Sequence, residues 1–159
     1  ALDEAMAAEE EGEVPVGAVV VYENRIIGRG HNRTVATSDP SAHAEILAIG
    51  AAGAAVGDWR LTGVDLYVTL EPCSMCAGAI QLGRMRRVVF GARDPKFGGC
   101  GSVLNVLQEA KLNHQVELVE GVMAEESRSL LQGFFRRLRK QERVPATPNP
   151  FPDGEEPEA

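Results

Sequence analysis

The stretch that most constrains this chain is Pro72-Cys73-Ser74-Met75-Cys76, read with His43-Ala44-Glu45 thirty residues before it. Two cysteines three apart put both thiolates on one side of a helical turn, a spacing suited to a tetrahedral metal ion. His43 adds an imidazole, and three ligands leave the fourth corner for water. Glu45, two residues from His43, can approach that water without binding the metal. Any fold for this chain must therefore bring two segments, each opening a helix, to one point.

The pattern H-x-E … P-C-x-x-C is that of zinc deaminases. It predicts zinc on His43, Cys73 and Cys76, a bound water acidified to about pKa 7, and Glu45 as general acid and base. Other readings of the same residues are a redox C-x-x-C pair, a structural zinc site completed by Cys100, His31 or His114, and buried cysteines with no metal. Only the catalytic reading uses the histidine, the glutamate and the open corner together. Ligand softness favours zinc, although iron or cobalt fits the same tetrahedron.

Three cysteines, two of them in the motif, point to a reducing compartment, and we expect a cytoplasmic protein. No signal peptide is visible and no apolar run is long enough to span a bilayer, so no membrane partner is expected. The formal net charge of -7 argues at first against nucleic acid. The acids concentrate at the ends, however, and residues 14–150 carry 16 basic against 13 acidic side chains. Arg84, Arg86, Arg87, Arg93 and Lys96 form one basic cluster; Arg136, Arg137, Arg139, Lys140 and Arg143 form another. Both read either as phosphate contacts or as solvated loops and helix ends.

In chain order, Leu2 to Ala8 reads as a short amphipathic helix and Glu9 to Glu13 as an acidic turn. Val16 to Tyr22 is a buried strand, and Ile26-Ile27-Gly28 begins its hairpin partner. Gly30 to Pro40 is a polar loop, in which Asn32 either bonds a substrate base or caps a turn. Ala42 to Ala52 is a helix with His43 in its first turn and Ile46, Leu47, Ile49 and Gly50 on its buried side. Trp59 is a partly buried packing residue. Leu66 to Leu70 is a strand, and Pro72 opens a helix carrying Cys73 and Cys76, with Ala77, Gly78 and Ala79 allowing close packing on the first metal helix. A strand over Arg87 to Phe90, a helix over Leu104 to Ala110, a strand over Val116 to Val119 and a helix over Ala124 to Lys140 follow. The last carries the stripe Leu130, Leu131, Phe134, Phe135 and Leu138, which reads as core. Residues 1–143 form one domain, and 144–159, rich in proline and acid, read as a disordered tail. Five strands alternating with helices predict an α/β fold with helices on both sheet faces.

These motifs resemble the cytidine deaminase-like zinc family, and more closely its bacterial tRNA adenosine deaminase branch. The resemblance spans roughly residues 3–143. It rests on Glu13 to Ala18, Asn32-Arg33, Ala42 to Ile46, Thr69 to Cys73, Met75 to Ala79, Val88 to Asp94 and Phe134-Phe135-Arg136. It implies a three-layer α/β/α fold with a five-stranded mixed sheet, one zinc per subunit, a homodimer, and conversion of adenosine to inosine at the wobble position of a tRNA anticodon loop. It further implies that Asn32 contacts the flipped base, that Val16, Ala44 and Leu70 wall its pocket, that Asp94 and Lys96 grip neighbouring nucleotides, and that Phe135 and Arg136 hold the flanking loop. Cys100 departs from the family pattern and is expected to be a small, partly buried thiol rather than a ligand. The rival substrate is a free base or nucleoside, such as cytosine or guanine. A non-catalytic RNA-binding module keeping a structural zinc is the remaining alternative.

Overall fold

The computed structural model describes residues 1–142; Arg143 and the expected tail over 144–159 lie outside the described residues. Five strands, β1 (Gly17–Tyr22), β2 (Arg25–His31), β3 (Asp65–Leu70), β4 (Arg87–Ala92) and β5 (Glu117–Glu120), form one mixed sheet in the order β2-β1-β3-β4-β5. β1 runs antiparallel to β2 and β3, and β3, β4 and β5 are parallel. The helices are α1 (Leu2–Glu10), α2 (Thr34–Thr37), α3 (Ala44–Val56), α4 (Ser74–Leu82) and α5 (Ala124–Gln141).

Alternation along the strands creates two apolar faces. Ala18, Val20, Leu66, Val68, Val88 and Phe90 pack with Ala44, Ala48 and Ala52 of α3 and Ala77 and Ile80 of α4. The other face carries α1 and α5. Close approach of α3 to β2 depends on glycine: a Cβ on Gly28 would meet the Ala48 carbonyl at 2.3 Å, and one on Gly30 the Ala44 carbonyl at 2.5 Å. The alanines at every fourth position of α3 supply the matching flat surface.

The sheet geometry also assembles one end of the fold. In the antiparallel β1–β3 pair, Ala18 lies opposite Val68. Carried two residues further, that register sets Val16 level with Leu70, and the Gly17 N–H donates to Thr69 Oγ1 at 3.2 Å. The start of β1 and the end of β3 thus meet where Pro72 and Cys73 follow.

Several expectations are corrected. Residues 104–110 are not helical, because their neighbourhood spends its donors elsewhere: the N–H groups of Val103 and Leu104 bond the Gly98 carbonyl and that of Val106 bonds the Gly99 carbonyl. The Gly30 to Pro40 loop contains strand residues to His31 and the short helix α2, which the buried Glu13 carboxylate caps by accepting the N–H groups of Val35 and Ala36 at 3.2 and 2.7 Å. Glu13 is therefore a structural anchor rather than part of an acidic turn. The first metal helix begins at Ala44, with His43 extended at its cap, and its core face is Ala44, Ala48 and Ala52; Gly50 is exposed. Gly78 faces open space rather than a helix, and Trp59 is 62% exposed with Arg60 stacked on its ring. On α5, Leu131 packs against the core, while Phe135 and Leu138 stay exposed.

Candidate active site

Two helix starts converge. His43 caps α3 and Cys73 caps α4, both with extended backbone and neither using its own side chain as the cap. Their side chains are therefore free for other work. Cys76 lies one turn into α4 and is fully buried. His43 Nδ1 stands 3.6 Å from Cys73 Sγ and 3.5 Å from Cys76 Sγ. The three donor atoms lie within 4.8 Å of one another, and no fourth His, Cys, Asp or Glu joins them among the described residues.

The alternatives for a fourth ligand are occupied elsewhere. His31 Nδ1 pairs with Glu4 at 2.9 Å, and His114 Nε2 donates to the Met85 carbonyl at 2.7 Å. Cys100 is buried, with its Sγ 3.9 Å from the Pro72 carbonyl oxygen, and burial pushes its thiol up to about 12. Among the described residues no closed, four-ligand structural site is built.

The donor chemistry fits a cation. A hydrogen bond from Cys76, and a further one from His43, outweigh burial and lower Cys73 to about 4, so it is a thiolate at neutral pH. Its bond to Cys73 and its burial push the Cys76 thiol up. His43 is raised, chiefly by the Cys73 bond. One thiolate, one thiol and one imidazole thus share a proton economy that a dication would replace outright. Glu45, on the first turn of α3 and 3% exposed, is pushed up to about 7 by burial. That is the range in which a carboxyl both takes and returns protons near neutrality.

Asn32 joins these parts. Its N–H donates to the Val16 carbonyl at 3.2 Å, and its Oδ1 accepts the Ala44 N–H at 2.9 Å. Val16, Asn32 and Ala44 are thereby tied into one wall, with Leu70 level with Val16 across the β1–β3 pair. Of the two sequence readings of Asn32, the structure shows the cap, made on a helix rather than a turn.

A residue missed from the sequence is Glu71. It is 2% exposed, directly precedes Pro72-Cys73, and accepts the N–H groups of Asp94 at 2.9 Å and of Cys100 and Ser102 at 3.0 Å, with the Ser102 hydroxyl as a fourth donor. Burial alone would raise its pKa, but these bonds outweigh it and hold the carboxyl below its ordinary value. Its only signal in the sequence was an acid inside an otherwise apolar strand end.

The basic clusters do not survive as drawn. Arg86 and Arg87 both bond Asp65, Arg93 bonds Glu120, and Arg137 bonds Glu9. What remains is a groove of about 500 Å³ between the 93–104 segment and α5, where Lys96 faces Phe135, Arg136 and Arg139. An apolar cavity of about 510 Å³ between α1, α5 and the sheet contains no residue of the site.

The chain is similar in sequence and fold to known proteins. The MafB19-like deaminase family model matches residues 1–139. The tRNA-specific adenosine deaminase of Bacillus subtilis (strain 168) is 54% identical over 144 residues, covering 91% of this chain and 89% of the relative. A solved structure from a study of A-to-I editing by tRNA:A34 deaminases at the wobble position of transfer RNA superposes with a TM-score of 0.79 at 46% identity, covering 82% of this chain and 95% of the other. A guanine deaminase from Nitrosomonas europaea superposes with a TM-score of 0.71 at 26% identity, covering 84% and 79%.

Proposed function

The chain belongs to the tRNA-specific adenosine deaminases within the MafB19-like deaminase family, and from that membership we infer that it hydrolyses adenosine to inosine at the wobble position of tRNA, releasing ammonia. The observation that carries this reading is the three-donor cluster of His43, Cys73 and Cys76 with Glu45 buried beside it. His43, Cys73 and Cys76 would hold one zinc per subunit. When bound, zinc acidifies a water and so supplies a hydroxide nucleophile at neutral pH.

The remaining work falls to the chain's own side chains. Glu45 takes a proton from the attacking water and delivers it to N1 of the adenine as oxygen bonds to C6. It then takes the proton of the new C6 hydroxyl and passes it to the exocyclic amine, the C6–N6 bond breaks as the C6 carbonyl forms, and ammonia leaves. The Asn32 amide N–H groups hold the base by its edge, and Val16, Ala44 and Leu70 close around its faces. Asp94 shapes the turn that presents Lys96, and Lys96, Phe135 and Arg136 take the flanking anticodon loop. The bases of such a loop are already unpaired, so extruding one costs less than from a duplex. Deaminase function resides in residues 1–143, and 144–159 contribute no catalytic group. The protein works in the cytoplasm as a homodimer. No helix among the described residues is long and apolar enough to cross a membrane.

Inosine formation in a total tRNA pool, mapped by position and run beside free adenosine and guanine with metal content measured on the same sample, tests this. Inosine confined to the wobble position is the expected result. Turnover of a free base or nucleoside alone would favour the rival chemistry, to which the likeness to a guanine deaminase gives its support.

A further inference from the structure

The segment from Arg93 to Leu104 belongs to no helix or strand, yet its backbone is pinned throughout. Glu71 holds it through Asp94, Cys100 and Ser102. Asp94 Oδ1 in turn accepts the N–H groups of Lys96 at 2.9 Å and Phe97 at 3.2 Å, and the Asp94 carbonyl accepts that of Gly98 at 3.0 Å. Gly98 bridges to Cys73, and the Gly99 N–H donates to the Pro72 carbonyl at 2.7 Å. Neither glycine has room for a side chain: a Cβ on Gly98 would lie 2.5 Å from the Glu71 carboxylate, and one on Gly99 2.8 Å from the Ser74 nitrogen.

This latch fixes Phe97 at the rim of the metal site, one residue from the partner of Cys73, with 72% of its surface exposed. A large apolar ring held out on a rigid backbone is in place for a partner with a flat face. Its neighbour Lys96 makes no ion pair among the described residues and opens onto the groove lined by Arg136 and Arg139. Along the chain the aromatic ring thus lies between Gly98, the bridge partner of Cys73, and Lys96, which lines the basic groove.

We propose that Phe97 is a stacking platform for an unpaired nucleobase next to the one that enters the metal site, with Lys96 and the adjoining groove receiving the phosphates of that strand. The inference rests on the RNA reading above and adds a subsite to it. Stacking on an aromatic face is tolerant of base identity, so the subsite adds affinity and direction of entry without demanding one sequence.

The test is steady-state kinetics on an anticodon stem-loop RNA with the wild-type protein, Phe97→Ala and Phe97→Tyr. Each is run on the intact loop and on loops with an abasic residue at either neighbour of the target adenosine. Phe97→Ala should raise KM roughly 5- to 100-fold with little change in kcat, while Phe97→Tyr stays within about twofold. An abasic residue at one neighbour should weaken the wild type by a similar factor and leave Phe97→Ala no weaker than before, the non-additivity of two groups that touch. An unchanged KM in Phe97→Ala, or equal losses on intact and abasic loops, would overturn the proposal. So would a loss of activity that tracks dissociation of the protein in sedimentation, since Phe97 would then serve a protein contact. A wild type that forms no inosine in any RNA would instead sink the RNA reading, and the subsite with it.

Discussion

Asn32 Oδ1 accepts the backbone N–H of Ala44 at 2.9 Å across twelve residues of sequence. The cap of the first metal helix is thus borrowed from the preceding strand-end, because the residue in the cap position, His43, has its side chain turned to the cysteines. One amide serves two masters. Its oxygen orders the helix; in the reaction proposed above its N–H groups hold the base.

That division separates two substitutions. Asn32→Asp keeps the acceptor and loses the donors, so thermal stability should change by less than about 1 kcal/mol while kcat/KM falls on the order of a hundredfold. Asn32→Ala loses both and should also cost about 1 kcal/mol of stability. Thermal unfolding and kinetics on the same samples check this; equal activity in Asn32→Asp and wild type would show that the amide donors do not touch the base.

Glu45→Gln should leave the metal content at the wild-type level while lowering kcat by about 10²- to 10⁴-fold, the range attached to a positioned proton carrier. Cys76→Ser should lose metal and activity together, because it removes one of the three donors clustered among the described residues. Metal analysis beside turnover distinguishes the two. A Glu45→Gln protein that is metal-free would make Glu45 part of the ligand set.

Asp65 predicts an acid-sensitive contribution to stability. Its carboxylate, 5% exposed, accepts Arg86 Nε at 2.9 Å and Nη2 at 2.7 Å, and Arg87 Nη2 at 2.7 Å. The Arg86 bond, with help from Arg87, outweighs burial and holds it below the usual carboxylate range. A depressed folded-state pKa means that the stabilisation is complete above the unfolded value of about 3.9 and is lost as pH falls through the lower folded value. Asp65→Asn should cost about 1 to 2 kcal/mol near neutrality, and the gap to wild type should close as pH falls through the lowered folded value. Denaturant titrations at several pH values check it; a gap that persisted into acid would assign the loss to packing instead.

Gly30→Ala should destabilise the fold by about 1 to 3 kcal/mol or more, because its Cβ would press on the Ala44 carbonyl at 2.5 Å and the Ala48 nitrogen at 2.6 Å. Relief requires α3 to retreat from β2, which carries His43 and Glu45 away from the cysteines, so metal affinity should fall as well. Gly50→Ala on the exposed side of the same helix meets nothing within 4 Å and should gain about 0.5 to 1 kcal/mol. Opposite signs in chemical denaturation are the expected outcome.

The clustering of the three donors was readable because each pair of requirements is local: Cys73 and Cys76 share a turn, and His43 and Glu45 share a helix start. The five strands were readable from apolar runs. Errors arose where a residue's role depends on a distant partner. The 104–110 segment looks helical until its neighbours' N–H groups are spent on Gly98 and Gly99. Arg86 and Arg87 look like phosphate ligands until Asp65 is seen between them. Glu13 reads as part of an acidic turn and Glu71 as the end of a strand, yet both are buried acceptors for backbone N–H groups far along the chain.

By itself the sequence determined the family's chemistry and which imidazole, thiols and carboxyl are the candidates for it, since residue type and short spacing dictate donor softness and reach. Only the tertiary structure decided which positive charges remain free, which acid latches the rim loop and where Phe97 stands. Charge neutralisation and backbone hydrogen bonding act between groups brought together by the sheet, and no window of neighbouring residues encodes those distances.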